Sequence, residues 1–207
     1  MTSDALDHLT ALCRGVVIPI GHMDTDHADP ADLAALRAAF DVGACEPPLG
    51  WDAVHAFEAE HGVVLPEPYR TFVAEVCDGS HSGPPEFGLV PLADLPQDWG
   101  DDRPQRVLAY PFPLTETWVW EDDPRPQEGI DPLLEQVFDH GSIVLGTDGC
   151  GMCWHLIVSG PHRGHVWQIT GEGAAPFGTE FGFSTGEAGF AGWIKHWAAH
   201  KLWFDAA

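Results

Sequence analysis

Three short runs in the last third of the chain leave it little choice of architecture. "SIVLG" (142–146), "CWHLIV" (153–158) and "HVWQI" (165–169) are dense in β-branched and aromatic residues, which pack well on a pleated surface. Between them lie Gly149 to Gly151 and "SGPHRG" (159–164). A crossover to a parallel neighbour needs about a dozen residues or more, so links this short are turns between antiparallel strands. The three runs read as an antiparallel meander.

Helical patterns stand on both sides of it. In "LPEPYRTFVAEVCDGS" (65–80), Pro66 and Pro68 suit a helix entrance, where a missing N–H costs nothing. Tyr69, Phe72, Val73, Val76 and Cys77 then form one apolar stripe, and Asp78-Gly79 offers a glycine at which the helix can stop. Just before it, Trp51, Val54 and Phe57 mark an amphipathic helix ending at His61-Gly62. After the meander, Ser184-Thr185-Gly186-Glu187 reads as a capping box, launching a helix that carries Phe190, Trp193, Ile194, Trp197 and Ala198 on one face.

The remaining segments are less regular. Residues 4–13 read as a helix with Leu6, Leu9 and Cys13 on one side, and "GVVIPI" (15–20) as a short strand. Asp29-Pro30 is an N-cap followed by proline at the first helical position, opening a helix with Leu33, Leu36 and Phe40. Pro47-Pro48-Leu49-Gly50 reads as a linker. "FGLVPL" (87–92) reads as an edge strand because of Pro91. Residues 94–132 are rich in Pro, Asp and Trp and predict irregular structure with one or two strands, "TETWVW" among them. The sum is an α+β fold: a central, antiparallel-rich sheet flanked by helices over 51–207, with a helical N-terminal extension over 1–50 packed on or beside the core.

Charge narrows the choice of partners. Nine Lys and Arg stand against 32 Asp and Glu, a net −23 over 207 residues. Such a surface repels nucleic acid and anionic membranes and attracts basic partners. No apolar run is long enough to cross a bilayer, and no basic stretch leads into an apolar one at the start, so the expected location is cytoplasmic. Five cysteines in such a chain predict thiols rather than a disulfide framework.

No constellation amounts to a catalytic centre. Cys150-Gly-Met-Cys153, with His155, His162 and His165 nearby, has the spacing of a zinc or redox pair. It lacks a second ligand pair and sits between two strands, so neither metal nor cofactor is expected there. Asp24, Asp26 and Asp29 resemble a calcium loop without its glycine and distal glutamate. The glycines from Gly146 to Gly151 lack a P-loop lysine and read as a turn. The twelve histidines are scattered and read as surface groups. Trp51, Trp193 and Trp197 fit helix faces and read as core, whereas Trp99, Trp118 and Trp120 fall in a segment, 98–139, with eleven acidic residues against three arginines. Aromatic anchors inside a charged rim are a common binding anatomy. Asp101, Asp102, Glu121, Asp122 and Asp123, helped by Trp99, are therefore the expected partner-binding residues.

The order of these pieces resembles the SUKH superfamily, named for yeast cell-wall regulators and bacterial immunity proteins. Its signature is a helix, "E-x-x-x-G-x-x-L-P-x-x-Y-r-x-F", an Asn-Gly-Gly-like stop, and later "I-G-x-D-G-x-G-x" before a strand and "G-x-V". Glu58, Gly62, Leu65, Pro66, Tyr69 and Phe72 fill the first part; Gly146, Asp148, Gly149, Gly151, Gly164 and Val166 fill the second. Asp78-Gly79-Ser80 stands in place of Asn-Gly-Gly. The match covers roughly residues 50–200. The resemblance implies a non-enzymatic immunity protein that binds and neutralises a cognate, basic, nuclease-type toxin domain. The alternative is a regulatory or scaffold domain for an internal protein partner, and a zinc- or thiol-dependent activity at Cys150 and Cys153 ranks third, below both.

Overall fold

The computed structural model describes residues 27–41, 43–96, 99, 106–178 and 187–201. The expected helix over 4–13 and strand over 15–20 lie outside these residues. Within them the order is α1 (Pro30–Ala39), α2 (Trp51–His61), α3 (Tyr69–Glu75), β1 (Trp118–Val119), α4 (Gln127–Asp139), β2 (Ser142–Gly149), β3 (Met152–Ile157), β4 (Val166–Ile169), β5 (Gly173–Pro176) and α5 (Phe190–Ala198). The five strands form one sheet in the order β1-β5-β4-β3-β2, every pair antiparallel. The fold is mixed α+β, and the meander of β2, β3 and β4 is its centre.

Alternation along the strands splits the interior in two. Ile143, Leu145, Trp154, Leu156 and Val166 point to one face, where they meet Leu36 and Phe40 of the α1 segment, Val54 of α2, Phe72 and Val73 of α3, and Trp193 and Ile194 of α5. Ile157, Trp167, Ile169 and Ala174 point the other way, against Phe112, Leu114, Trp120 and the α4 residues Ile130 and Val137. The sheet is thus the middle of three layers.

The helix ends follow local chemistry. Asp29 caps α1, its Oδ1 accepting the Ala31 N–H at 2.7 Å, with Pro30 in the first turn. Gly62 ends α2 in the left-handed region, where glycine has no Cβ to clash. The stripe of α3 is seated as its spacing predicts: Tyr69, Phe72, Val73 and Cys77 are buried and Val76 half-buried. Residues 47–50 are laid along this helix; Leu49 N–H donates to Val73 O at 3.0 Å and Glu46 N–H to Gly79 O at 2.9 Å.

Three expectations are corrected, and one strand is added. Residues 87–92 form no strand: Val90 N–H reaches Leu145 O at 2.9 Å, but Gly88 turns the chain at φ +85° and Pro91 has no N–H, so no ladder develops. Within 94–132, expected to be irregular, α4 begins at Gln127; Gly129 and Pro132 inside it obscure a stripe of Ile130, Leu133, Leu134, Val137 and Phe138 that packs on the second core. The capping box does not start α5: Ser184 to Gly186 lie outside the described residues, the N-cap is Gly189, and Glu187 instead pairs with Lys195 at 2.7 Å. Strand β5, "GAAP", was not expected at all, because small residues carry little strand preference.

Candidate partner-binding surface

The acidic segment divides on inspection. Asp101 and Asp102 lie outside the described residues. Glu121 and Asp122 are exposed on the turn that follows β1. Asp123 is engaged by its own chain: Arg125 grips it through two nitrogens at 2.9 and 2.7 Å, and Trp118 Nε1 donates to it at 2.7 Å. The bonds from Arg125 and then Trp118 hold its carboxyl well below the usual carboxylate range. Trp120 is not an interface residue; it is 7% exposed in the second core, its Nε1 donating to Gly171 O at 2.7 Å.

Trp99 is also held inward. Its ring packs on Phe138 and His155, the Arg106 guanidinium lies 4.8 Å above it, and its Nε1 points to Cys153 Sγ at 2.6 Å. One face of an anchored, half-buried ring can still serve a partner, but its position is fixed by these contacts. The two cysteines differ sharply: Cys153 is buried in β3, whereas Cys150 is exposed at the hairpin tip with φ +52°. Among the described residues no group of three or more His, Cys, Asp or Glu is placed to hold a metal ion. The histidines are not all on the surface: His155 is fully buried, with Nδ1 3.1 Å from Ser142 Oγ, and His196 is 8% exposed.

Internal contacts engage most of the described cations. Arg37 pairs with Glu75, Arg70 with Glu58, Arg125 with Asp123, and Lys195 with both Asp32 and Glu187. Arg106 donates to Ser142, and Arg163 to Val64 O. Among the described residues these six cations are held by the chain itself, while Lys201 is exposed, and Glu121, Asp122, Glu116, Glu128, Glu135 and Glu172 stand exposed as well.

A groove missed in the sequence lies at the opposite edge of the sheet. Phe87, Leu89, Pro91, Pro96, Thr147 and Cys150 line a space of about 490 Å³ between the 80–96 loop and the β2–β3 hairpin. It continues past His81 into a hollow of about 320 Å³ walled by Glu46, Pro47 and Asp78. Phe87 is 66% exposed, a large apolar ring presented to solvent. Asp78 is half-buried; burial, then Asp94 and Glu46, raise its pKa against the opposing effect of the Leu92 amide. Two glycines make this wall possible. A Cβ on Gly146 would strike Gly88 O, and one on Gly88 would strike Ser80 O.

The signature residues prove to be clamps around this framework. Glu58, 7% exposed, accepts the Leu65 N–H at 2.8 Å and both Nε and Nη2 of Arg70 at 2.7 and 2.9 Å. Asp148 accepts the Glu86 N–H at 2.9 Å and Trp154 Nε1 at 2.7 Å, tying the 80–96 loop to β2 and β3. The family model described as SMI1 / KNR4 family (SUKH-1) matches residues 48–182. The chain belongs to this family. No curated protein and no solved structure matches it. The SUKH-1 match runs from just before α2 to beyond β5, so it contains both clamps and both sheet edges. Helices α1 and α5 fall outside it, yet Lys195 of α5 reaches Asp32 of α1 at 2.8 Å and both helices pack on the SUKH-1 sheet. Among the described residues no helix is long and apolar enough to cross a membrane. The groove escaped sequence reading because its walls come from separate segments; the one local signal was Phe87, an aromatic flanked by Glu86 and Gly88 in a Gly- and Pro-rich stretch.

Proposed function

We propose that this SUKH-1 chain is a non-catalytic immunity protein that binds and neutralises a basic, nuclease-type toxin domain in the cytoplasm. The observation that carries the reading is the charge balance: 32 Asp and Glu stand against nine Lys and Arg, a net −23, and among the described residues Arg37, Arg70, Arg125 and Lys195 are held in internal ion pairs. Such a field steers a cationic partner into encounter and repels polyanions. The exposed carboxylates of Glu121 and Asp122, with Asp101 and Asp102, form the proposed approach face, and Trp99 its aromatic component.

The test uses a toxin domain encoded beside this chain, co-expressed and then captured. Replacing Glu121 by Gln and Asp122 by Asn is expected to slow association on the order of three-fold at low salt and to flatten the salt dependence, because rim charges act on the encounter rate. Folding stays at the parent value. An unchanged rate and salt slope would remove this turn from the approach face. A chain that captures a housekeeping protein and gives no protection against the toxin would point to the scaffold reading.

A further inference from the structure

The groove at the β2 edge lies away from the turn that bears Glu121 and Asp122. Its floor is apolar: Leu89, Pro91 and Pro96 line it, and the Phe87 ring stands at its lip beside Gly149, whose Cβ position is 3.1 Å from the ring. Its far end is acidic. Glu46 and Asp78 wall the adjoining hollow, and Asp94 is close enough to raise the pKa of Asp78. Among the described residues neither space has a lysine or arginine in its walls; His81 lines both, its Nε2 2.7 Å from Glu46 Oε1.

A half-buried carboxylate with two acidic neighbours is unfavourable on its own account. An apolar slot running into such a carboxylate suits one kind of occupant. We propose that this groove is an anchor site for a cationic loop of a protein partner, taking one apolar side chain against Phe87, Leu89 and Pro96 and a neighbouring arginine or lysine against Asp78 and Glu46. Charge complementarity selects this occupant over a second copy of the chain, which would bring a further −23 to the same place. The inference rests on reading the chain as a binder of a basic protein, and it locates the anchor rather than the steering surface.

Cys150 lines the groove and is exposed, which makes it a built-in reporter. The full chain is treated with a maleimide, and modification of the peptide bearing Cys150 is followed by mass spectrometry. The probe is the synthetic peptide Arg-Gly-Arg-Phe-Arg-Gly-Arg; one control replaces Phe by Gly, another replaces every Arg by Glu. The Arg/Phe peptide is expected to slow labelling roughly six-fold at about 1 mM, the protection given by a dissociation constant of about 0.2 mM. Neither control should match it. Phe87→Ser, an exposed position, should abolish the protection without lowering the melting temperature. Asp78→Asn should weaken protection while raising the melting temperature, a pairing that loss of structure cannot produce.

Equal protection by all three peptides, none by any, or full protection in Phe87→Ser would overturn the proposal. So would labelling that slows when the chain alone is concentrated, which would make a second copy the occupant. A Cys150 that is unreactive in the dilute free chain would mean that the chain covers its own groove, and would overturn it as well. No toxin enters this assay. A groove that takes the peptide in a chain that fails to protect cells would refute only the toxin reading.

Discussion

Asp78 occupies the position where the family signature has asparagine, and its carboxylate costs the fold what an amide would not. An ordinary aspartate titrates near 3.8; burial, Asp94 and Glu46 raise the value for Asp78, against the lowering effect of the Leu92 N–H. The folded chain therefore binds this proton more tightly than the unfolded chain does. The site's contribution to stability is complete below the unfolded value and is lost as pH rises through the raised one. At neutral pH the charge is a standing penalty. Asp78→Asn keeps an oxygen for the Leu92 amide and removes the charge. Its melting temperature is expected to exceed the parent's at pH 7, with the advantage fading as pH falls toward 3.8. An advantage independent of pH would place the effect elsewhere. Glu58, by contrast, is buried with partners for its carboxylate: two bonds from Arg70 and one from the Leu65 amide.

At the scale of elements, α3 is the short helix on which the first core is assembled. Phe72 is fully buried, its ring centroid 5.5 Å from that of Phe40 and 5.2 Å from that of Phe190, so it joins α1, α3 and α5. Phe72→Ala is expected to cost about 3–5 kcal/mol, seen as a lower urea midpoint with an unchanged slope. A fully stable variant that had lost its partner would make the stripe an interface instead. This helix was legible in the sequence, because its apolar spacing and its proline and glycine borders agreed. Helix α4 was hidden by Pro132 and Gly129, whose local preferences argue against helix, while packing of Val137 and Ile130 on the sheet outweighs them. Strand β5 has no pattern of its own and exists through its partners, Ala174 opposite both Ile169 and Trp118. The candidate binding residues were harder still. Composition located the acidic excess, but only geometry shows that Asp123 answers to Arg125, that Trp120 is core, and that Phe87 stands free beside Cys150.

For the whole molecule, a net charge of −23 works against compactness. The screening length falls from about 30 Å at 0.01 M salt to about 10 Å at 0.1 M, so added salt relieves repulsion among exposed carboxylates. The internal ion pairs also weaken, but Glu58 with Arg70 is largely shielded, with side chains 8% and 15% exposed. Sodium chloride is therefore expected to raise stability by about 1 kcal/mol, ~2–4 °C in melting temperature for a chain of this size. A melting temperature that falls with salt would show the ion pairs to dominate.

The sheet ends abruptly at both rims. On one side β1 is two residues long; on the other, Val90 and Phe87 already donate to the outward carbonyls of Leu145 and Thr147, and Pro91 interrupts any extension. A border this brief or this occupied is a poor template for a stranger's strand. Recognition of the kind proposed here would consequently depend on side chains, which discriminate among partners, and not on main-chain pairing, which any extended polypeptide can imitate. The same closed borders work against edge-to-edge pairing between copies of the chain.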